Sequence, residues 1–161
     1  MNTIIISAYF NPIHPGHIDL VAQAAALGRV ITIVNNDEQV KLKNSVPFMD
    51  EQSRLEVVTG LRWTDKTYLS IDQDLGIAKT LKKIMKDEEM NGQQGSSGGY
   101  YFLNSGDRTT QNANLQEIEM CEKYGIKPMY IIDKKRASSG ELIKKAYEYI
   151  SKNHETRWNR I

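Results

Sequence analysis

Short apolar runs alternate along this chain with longer segments whose apolar residues recur every three or four positions. The runs are typical of strands that are buried on both faces, and the longer segments are typical of amphipathic helices. The predicted strands cover residues 4–6, 29–34, 68–71, 100–103 and 128–132. Helices are predicted from His17, from Asp50, over 77–89, over 115–124 and after Ser138. This alternation predicts an α/β protein with a five-stranded parallel sheet and helices on both faces.

The turn after the first strand holds two of the three histidines of the chain, His14 and His17. Asn11-Pro12 ends the strand, because proline removes a ladder donor and disfavours helical backbone at the residue before it. Gly16 allows a close backbone approach just where the first helix begins. Free N–H groups and the macrodipole at such a helix start attract anions. The two histidines fit either a phosphate site or an ordinary packed turn, and their context favours the phosphate site.

Length, net charge and cysteine content exclude several classes of protein. The chain has 161 residues and a net charge of +1, which is typical of one domain and does not indicate binding to nucleic acid. Its single cysteine, Cys121, excludes an intramolecular disulfide, and no apolar stretch approaches a membrane span. We therefore expect a soluble cytoplasmic protein without membrane partners. The first turn has no G-x-G-x-x-G pattern, which argues against a dehydrogenase.

Three later polar segments are candidates for the same site. Residues 35–47 read as a polar loop whose Lys41 and Lys43 either form a mobile flap over a polyphosphate or are simply solvated. Asp107 follows the fourth strand, where it either lines a ligand pocket or forms a turn. Ser138 and Ser139 precede the last helix, where they can cap it and share its N–H groups with a phosphate.

Residues 10–17, Phe-Asn-Pro-Ile-His-Pro-Gly-His, resemble the HxGH signature of the cytidylyltransferase-like nucleotidyltransferases. The resemblance implies a Rossmann-like, doubly wound domain over residues 1–152, followed by a C-terminal tail over residues 153–161. The implied reaction transfers CMP or AMP from CTP or ATP to a small phosphomonoester and releases pyrophosphate. The lysine segment and the Ser-Gly-Asp-Arg turn are most similar to the glycerol-3-phosphate cytidylyltransferase and heptose-phosphate adenylyltransferase branch, so we expect a sugar- or polyol-phosphate acceptor.

The same resemblance implies roles for particular residues. The residues expected to act in catalysis are His14, His17, Lys41, Lys43 and Arg54. For Arg54 the alternative is a salt-bridged surface arginine, and the resemblance favours a phosphate ligand. The residues expected to bind the nucleotide are Tyr9, Phe10, Asn11, Gly16, Gly106, Asp107, Arg136, Ser138 and Ser139. The residues expected to bind the acceptor are Asn36 and Asp37. Mg²⁺ is expected as a cofactor held mainly by the nucleotide phosphates, with no dedicated protein ligands.

Departures from the family pattern leave alternatives open. Ala8 and Asn11 stand where the family usually has glycine and aspartate, and the asparagine is common in nicotinamide-mononucleotide adenylyltransferases. Gly140 replaces a third hydroxyl after the serine pair. A nicotinamide-mononucleotide or pantetheine-phosphate type adenylyltransferase, or a non-catalytic nucleotide-binding domain, would also fit. Trp158 beside arginines in the tail is a residue type found at subunit interfaces, which allows a homo-oligomer.

Overall fold

A computed structural model describes residues 1–92, 98–105, 115–131 and 137–152. Its five strands pair in parallel in the order β3-β2-β1-β4-β5. The strands are β1 (Thr3–Ala8), β2 (Arg29–Val34), β3 (Lys66–Leu69), β4 (Tyr100–Ser105) and β5 (Lys127–Ile131). The helices are α1 (Pro15–Leu27), α2 (Asp37–Leu42), α3 (Glu51–Thr59), α4 (Ala78–Met90), α5 (Leu115–Tyr124) and α6 (Ser139–Lys152). The predicted fold class is confirmed.

Each face of the sheet packs against its own set of helices. Ile5, Ile31 and Ile33 point to one face, where residues of α4 and α5 such as Leu81 and Cys121 cover them. The neighbouring residues of the same strands point to the other face, against residues of α1 and α3. Residues of a strand alternate between the two faces, so unbroken apolar runs are needed to fill both layers of the core.

The polar loop predicted over residues 35–47 is wrong in its first half, because Asp37–Leu42 is the helix α2. Its start is held by a capping box in which Asn36 accepts from the backbone N–H of Gln39, and the Gln39 side chain accepts from the N–H of Asn36. Only two residues of this helix are buried, so no apolar periodicity marks it in the sequence. The local side-chain caps stabilise it instead.

Two predicted helix ends can be compared with the structure. α1 begins at Pro15, two residues before the predicted His17, because proline suits the first turn of a helix, where no N–H is needed. Gly125, which has a φ of +65°, directly follows α5 as predicted. Among the helices in the described ranges, none is long and apolar enough to cross a membrane.

The strand order reverses direction between β1 and β4. From β1 the chain moves outward to β2 and β3 on one side, and β4 and β5 lie on the other. In sheets of this type the crevice at the carboxyl ends of the strands beside the reversal is the usual ligand site. The histidine turn leaves β1 at this edge.

Candidate active site

A cavity of about 410 Å³ opens at the carboxyl ends of β1 and β2. Its wall is formed by the ends of these strands, the histidine turn, the segment around the end of α2, and the start of α6. The lining residues are Ser7, Ala8, Tyr9, Asn11, His17, Asn35, Val40, Lys43, Ser45, Ser139 and Gly140. Most of these side chains are polar, which suits a charged and hydrated ligand more than an apolar one.

The two histidine rings stack on each other. Their centroids are 3.8 Å apart with an interplanar angle of 21°, and the Phe10 ring lies 4.7 Å from the His17 ring. His14 is the N-cap of α1, but its side chain makes no capping bond. The Nδ1 atoms of both rings are buried and have no hydrogen-bond partner among the described residues. Buried polar atoms are rarely left unsatisfied in proteins, so these nitrogens point to a ligand that supplies the partner.

Burial controls the charge of this pair. Desolvation, together with the smaller effect of the nearby His14, lowers the pKa of His17 to about 3. Desolvation also lowers the pKa of His14, against a smaller opposing effect of a backbone hydrogen bond. Both rings are therefore neutral at pH 7 without a ligand, and each presents one N–H donor and one acceptor nitrogen. An incoming polyphosphate would meet hydrogen-bond donors here, with the positive charge supplied by other groups.

The start of α6 contacts the histidine turn. The Ser139 hydroxyl donates to the carbonyl oxygen of Pro12 at 3.0 Å, and the Ser138 hydroxyl accepts from the N–H of Glu141 at 3.1 Å. A side chain on Gly16 would lie 3.7 Å from the carbonyl oxygen of Ala137, so the turn and the residues before α6 are close neighbours. The N-termini of α1 and α6 thus converge on one cavity, and each can attract a phosphate.

The Asn11 side chain forms hydrogen bonds to the backbone of the segment that forms a second wall of the cavity. Its side-chain oxygen accepts from the N–H of Phe48 at 2.6 Å, and its amide nitrogen donates to the carbonyl oxygen of Val46 at 2.8 Å. The segment between α2 and α3 is thereby tied to the turn after β1. Lys43, at the end of α2, holds its ammonium 5.1 Å from the centre of the Tyr9 ring. This places a lysine charge and an aromatic face together at the cavity.

Eight of the predicted site residues in the described ranges do not line the cavity: Phe10, His14, Gly16, Asn36, Asp37, Lys41, Arg54 and Ser138. The side chains of four of these pair with other protein groups. Lys41 is exposed and its ammonium pairs with Glu38 at 2.6 Å, because α2 turns this side chain away from the cavity. The Asn36 amide donates to the carbonyl oxygens of Ser70 and Asp72, and Asp37 pairs with the buried Arg54. The structure therefore engages these side chains with protein groups.

Other predictions lie outside the part of the chain that the structure describes. These are the nucleotide-binding roles of Gly106, Asp107 and Arg136.

Sequence reasoning missed several residues of the lining. Ser7 and Asn35 are the clearest cases: the Ser7 hydroxyl donates to the Asn35 side-chain oxygen at 3.0 Å, and the Asn35 amide donates to Gln39 at 3.1 Å. Both lie where an apolar strand gives way to polar residues, at the edge of the sheet where ligands bind. That change in polarity is the signal that could have found them.

The described residues contain no group of three or more histidine, cysteine, aspartate or glutamate side chains that could hold a metal ion. A divalent cation bound through the phosphates of a substrate and through water would need no such group. Mg²⁺ commonly binds in this way beside nucleotide phosphates.

Comparison with known families decides where the chain belongs. The model of the family described as "Cytidylyltransferase-like" matches residues 6–150. The chain is a member of the cytidylyltransferase-like family. The match spans the histidine turn and the start of α6, the two segments that meet at the cavity.

Individual relatives match shorter parts of the chain than the family model does. The chain is 33% identical over 79 residues to the FAD synthase of Methanothermobacter thermautotrophicus, which is 47% of this chain and 52% of that protein. It is 33% identical over 95 residues to the bifunctional protein HldE of Azorhizobium caulinodans, or 57% of this chain and 19% of that protein. The chain thus spans about half the length of the FAD synthase that it matches.

Among solved structures, the fold resembles that of the lipopolysaccharide core biosynthesis protein from Thermoplasma volcanium GSS1. The TM-score is 0.62 at 20% identity, over 83% of this chain and 98% of that one. Since the identity is this low, the likeness establishes the fold alone.

Proposed function

We propose that the chain transfers a nucleoside monophosphate from a nucleoside triphosphate to a small phosphomonoester and releases pyrophosphate. One observation carries the proposal: the histidine turn and Ser139, which are far apart in sequence, meet at one polar cavity beneath two helix N-termini. Two buried imidazole nitrogens without partners among the described residues add to this support. Membership of the cytidylyltransferase-like family agrees with the same chemistry.

In the proposed reaction, an oxygen of the acceptor phosphate attacks the α-phosphorus of the triphosphate. A new P–O bond forms, the bond to the β-phosphate oxygen breaks, and pyrophosphate leaves with the electron pair. His17 would donate a hydrogen bond to the α-phosphate, and Lys43 would place its charge beside the polyphosphate. The N–H groups at the starts of α1 and α6 would stabilise the negative charge that grows on the phosphoryl oxygens.

No covalent enzyme intermediate is part of this proposal. Cys121, the one cysteine of the chain, is buried in the apolar cluster against the face that α4 and α5 cover. Its burial raises the pKa of the thiol to about 11, so the reactive thiolate is scarce at neutral pH. The proposal assigns catalysis to positioning and charge stabilisation.

Mg²⁺ fits this site as a partner of the substrate. It would neutralise charge on the triphosphate and would be held by phosphate oxygens and water. The residues of the cavity would then bind and orient the phosphates around it. This expectation can be tested by adding a chelator to the turnover assay, which should stop pyrophosphate release.

Two acceptor classes have specific support. A sugar or polyol phosphate is the acceptor that the lysine segment indicates by resemblance. A flavin mononucleotide is favoured by the FAD synthase relative, because FAD is an adenylate joined to a flavin phosphate. Val46 and Phe48, which are 71% and 62% exposed beside the cavity residue Ser45, would offer apolar contacts to a flavin ring.

A matrix of ATP, CTP, GTP and UTP against phosphomonoesters tests the proposal by pyrophosphate release. The panel contains glycerol 3-phosphate, a heptose phosphate, flavin mononucleotide, nicotinamide mononucleotide and phosphopantetheine. We expect turnover with one nucleotide and one acceptor class. Nucleotide binding without pyrophosphate release from any pair would contradict the proposal and indicate a non-catalytic binding domain.

A matched pair of variants tests the apolar contact to a flavin acceptor. If the acceptor is a flavin, Phe48→Ser should raise its KM roughly tenfold, since one aromatic contact contributes about 1 kcal/mol or more. The control is Met90→Ser at the end of α4, where the side chain is 85% exposed. A KM for flavin mononucleotide that Phe48→Ser leaves unchanged would contradict the apolar contact.

A further inference from the structure

Arg54 lies inside the protein although arginine is rarely buried. The residue is one turn into α3, its side chain is 0% exposed, and it is absent from the lining of the cavity. A ligand for a phosphate in the cavity would need donors that face the cavity. The position of Arg54 therefore indicates a different role from the one its place in the family motif implies.

One nitrogen of this guanidinium joins two walls of the cavity. Nη1 donates to the carbonyl oxygens of Tyr9 and Asn35, each at 2.6 Å. Tyr9 directly follows β1, Asn35 directly follows β2, and both residues line the cavity. The parallel strand pairing ends here, so these carbonyls need donors from elsewhere. Arg54 supplies both and so fixes the separation of the two strand ends.

The other nitrogens hold α2 in place. Nη2 donates to the Asp37 carboxylate at 2.6 Å, and Nε donates to the carbonyl oxygen of Met49 at 3.0 Å. Asp37 is the first residue of α2, and its N–H donates to the Glu51 carboxylate at 2.9 Å. α2 ends directly before Lys43, which lines the cavity. The guanidinium thus holds the helix that carries Lys43 against α3.

We propose that Arg54 is a positioning residue for nucleotidyl transfer, which sets Tyr9 and Lys43 relative to the histidine turn without contacting phosphate itself. This inference rests on the proposed function. It depends on the planar fork of arginine, which reaches four acceptors on four segments at once. A lysine would keep the charge but place all its donors on one nitrogen.

The test is a double-mutant cycle on kcat with Arg54→Lys, Lys43→Ala and the combined variant. We expect Arg54→Lys to lower kcat by about a hundredfold, as displacements near 1 Å in an active site can. Because its effect passes partly through Lys43, the combined loss should be clearly smaller than the product of the two single losses. The control, Arg62→Lys, changes an exposed arginine that stacks on Trp63 and should leave kcat within about twofold of wild type.

Two results would overturn the inference. Losses that multiply fully would show that Arg54 acts independently of Lys43, as a direct phosphate ligand would. An unchanged kcat in a variant with a lowered melting temperature would show a role in stability alone. If Arg54→Lys does not fold, Asp37→Asn takes its place in the cycle, because it weakens the contact at Nη2 and lies outside the cavity lining.

The outcome can be separated from that of the proposed function. If the wild type binds tripolyphosphate but turns over no substrate pair, the proposed function fails, and the same cycle is measured on the Kd for tripolyphosphate by calorimetry. Coupled losses in affinity would then support the positioning role, and independent losses would overturn it. Absence of both pyrophosphate release and tripolyphosphate binding in the wild type would overturn both.

Discussion

Gly16→Ala tests whether a small displacement of the His14 ring lowers kcat. A Cβ on Gly16 would lie 3.1 Å from Cε1 and 3.2 Å from Nδ1 of that ring, whereas ordinary contacts begin at 3.4 Å. The ring must therefore move by a few tenths of an ångström. His14 stacks on His17 with a centroid separation of 3.8 Å, so the movement disturbs the pair.

The expected effect on turnover is a loss of roughly tenfold in kcat, since misplacement by 1 Å can cost about a hundredfold. The free energy of unfolding should change little. The strain is opposed by about 0.4–1 kcal/mol that replacing glycine contributes when the backbone conformation suits alanine. The variant should therefore melt near the wild-type temperature while it turns over slowly.

The assay is steady-state pyrophosphate release with the substrate pair that the matrix identifies, beside thermal melting followed by circular dichroism. Gly60→Ala at the end of α3 is the control, because its Cβ would meet nothing nearer than 3.5 Å and its φ is −75°. A Gly16→Ala enzyme with kcat within twofold of wild type would refute the claim that the ring position limits the reaction.

Two further predictions concern charge. Lys43→Ala should lower kcat/KM at least tenfold, because Lys43 lines the cavity. Lys41→Ala should leave kcat/KM within about twofold of wild type, because Lys41 pairs with the exposed Glu38. Equal losses for the two variants in steady-state kinetics would contradict this geometry. At the opposite end of β2, Glu88→Gln should lower the free energy of unfolding at pH 7 by about 3 kcal/mol, because it leaves Arg29 without its buried carboxylate partner. The Arg29 hydrogen bonds lower the pKa of Glu88 below its ordinary value of about 4.5. The difference in free energy of unfolding between wild type and variant, measured by urea unfolding, should therefore be largest above pH 4.5 and shrink as the pH falls further. A difference that does not depend on pH would contradict the assignment.

β1, β2 and β4 were predictable because each holds apolar residues that fill two core layers. The structure confirms all five strands, although β3 covers Lys66–Leu69 and the prediction covered 68–71. α2 was missed because its helix rests on local caps, while the apolar pattern across it is too short to show a period. The pair Asn36 and Gln39, spaced as in a capping box, was the available signal.

The site was predictable where its chemistry is local. His17 stands in the histidine turn and Ser139 at a helix start, and both line the cavity, so these two of its segments could be indicated from sequence. The burial and the partners of Arg54 were not predictable, because the partners come from segments up to 45 residues away along the chain. From sequence, an arginine on a helix is expected to be exposed. Only the tertiary structure shows the strand-end carbonyls to which this one donates.

The most direct test of the central claim is pyrophosphate release by His17→Ala with the matched substrate pair. The account predicts a fall in kcat of a hundredfold or more, as for the loss of one donor to a charged transition state, in a protein that still shows a cooperative melting transition. Turnover near the wild-type rate by the folded variant would contradict the claim that the imidazole at the start of α1 stabilises the transferring phosphate.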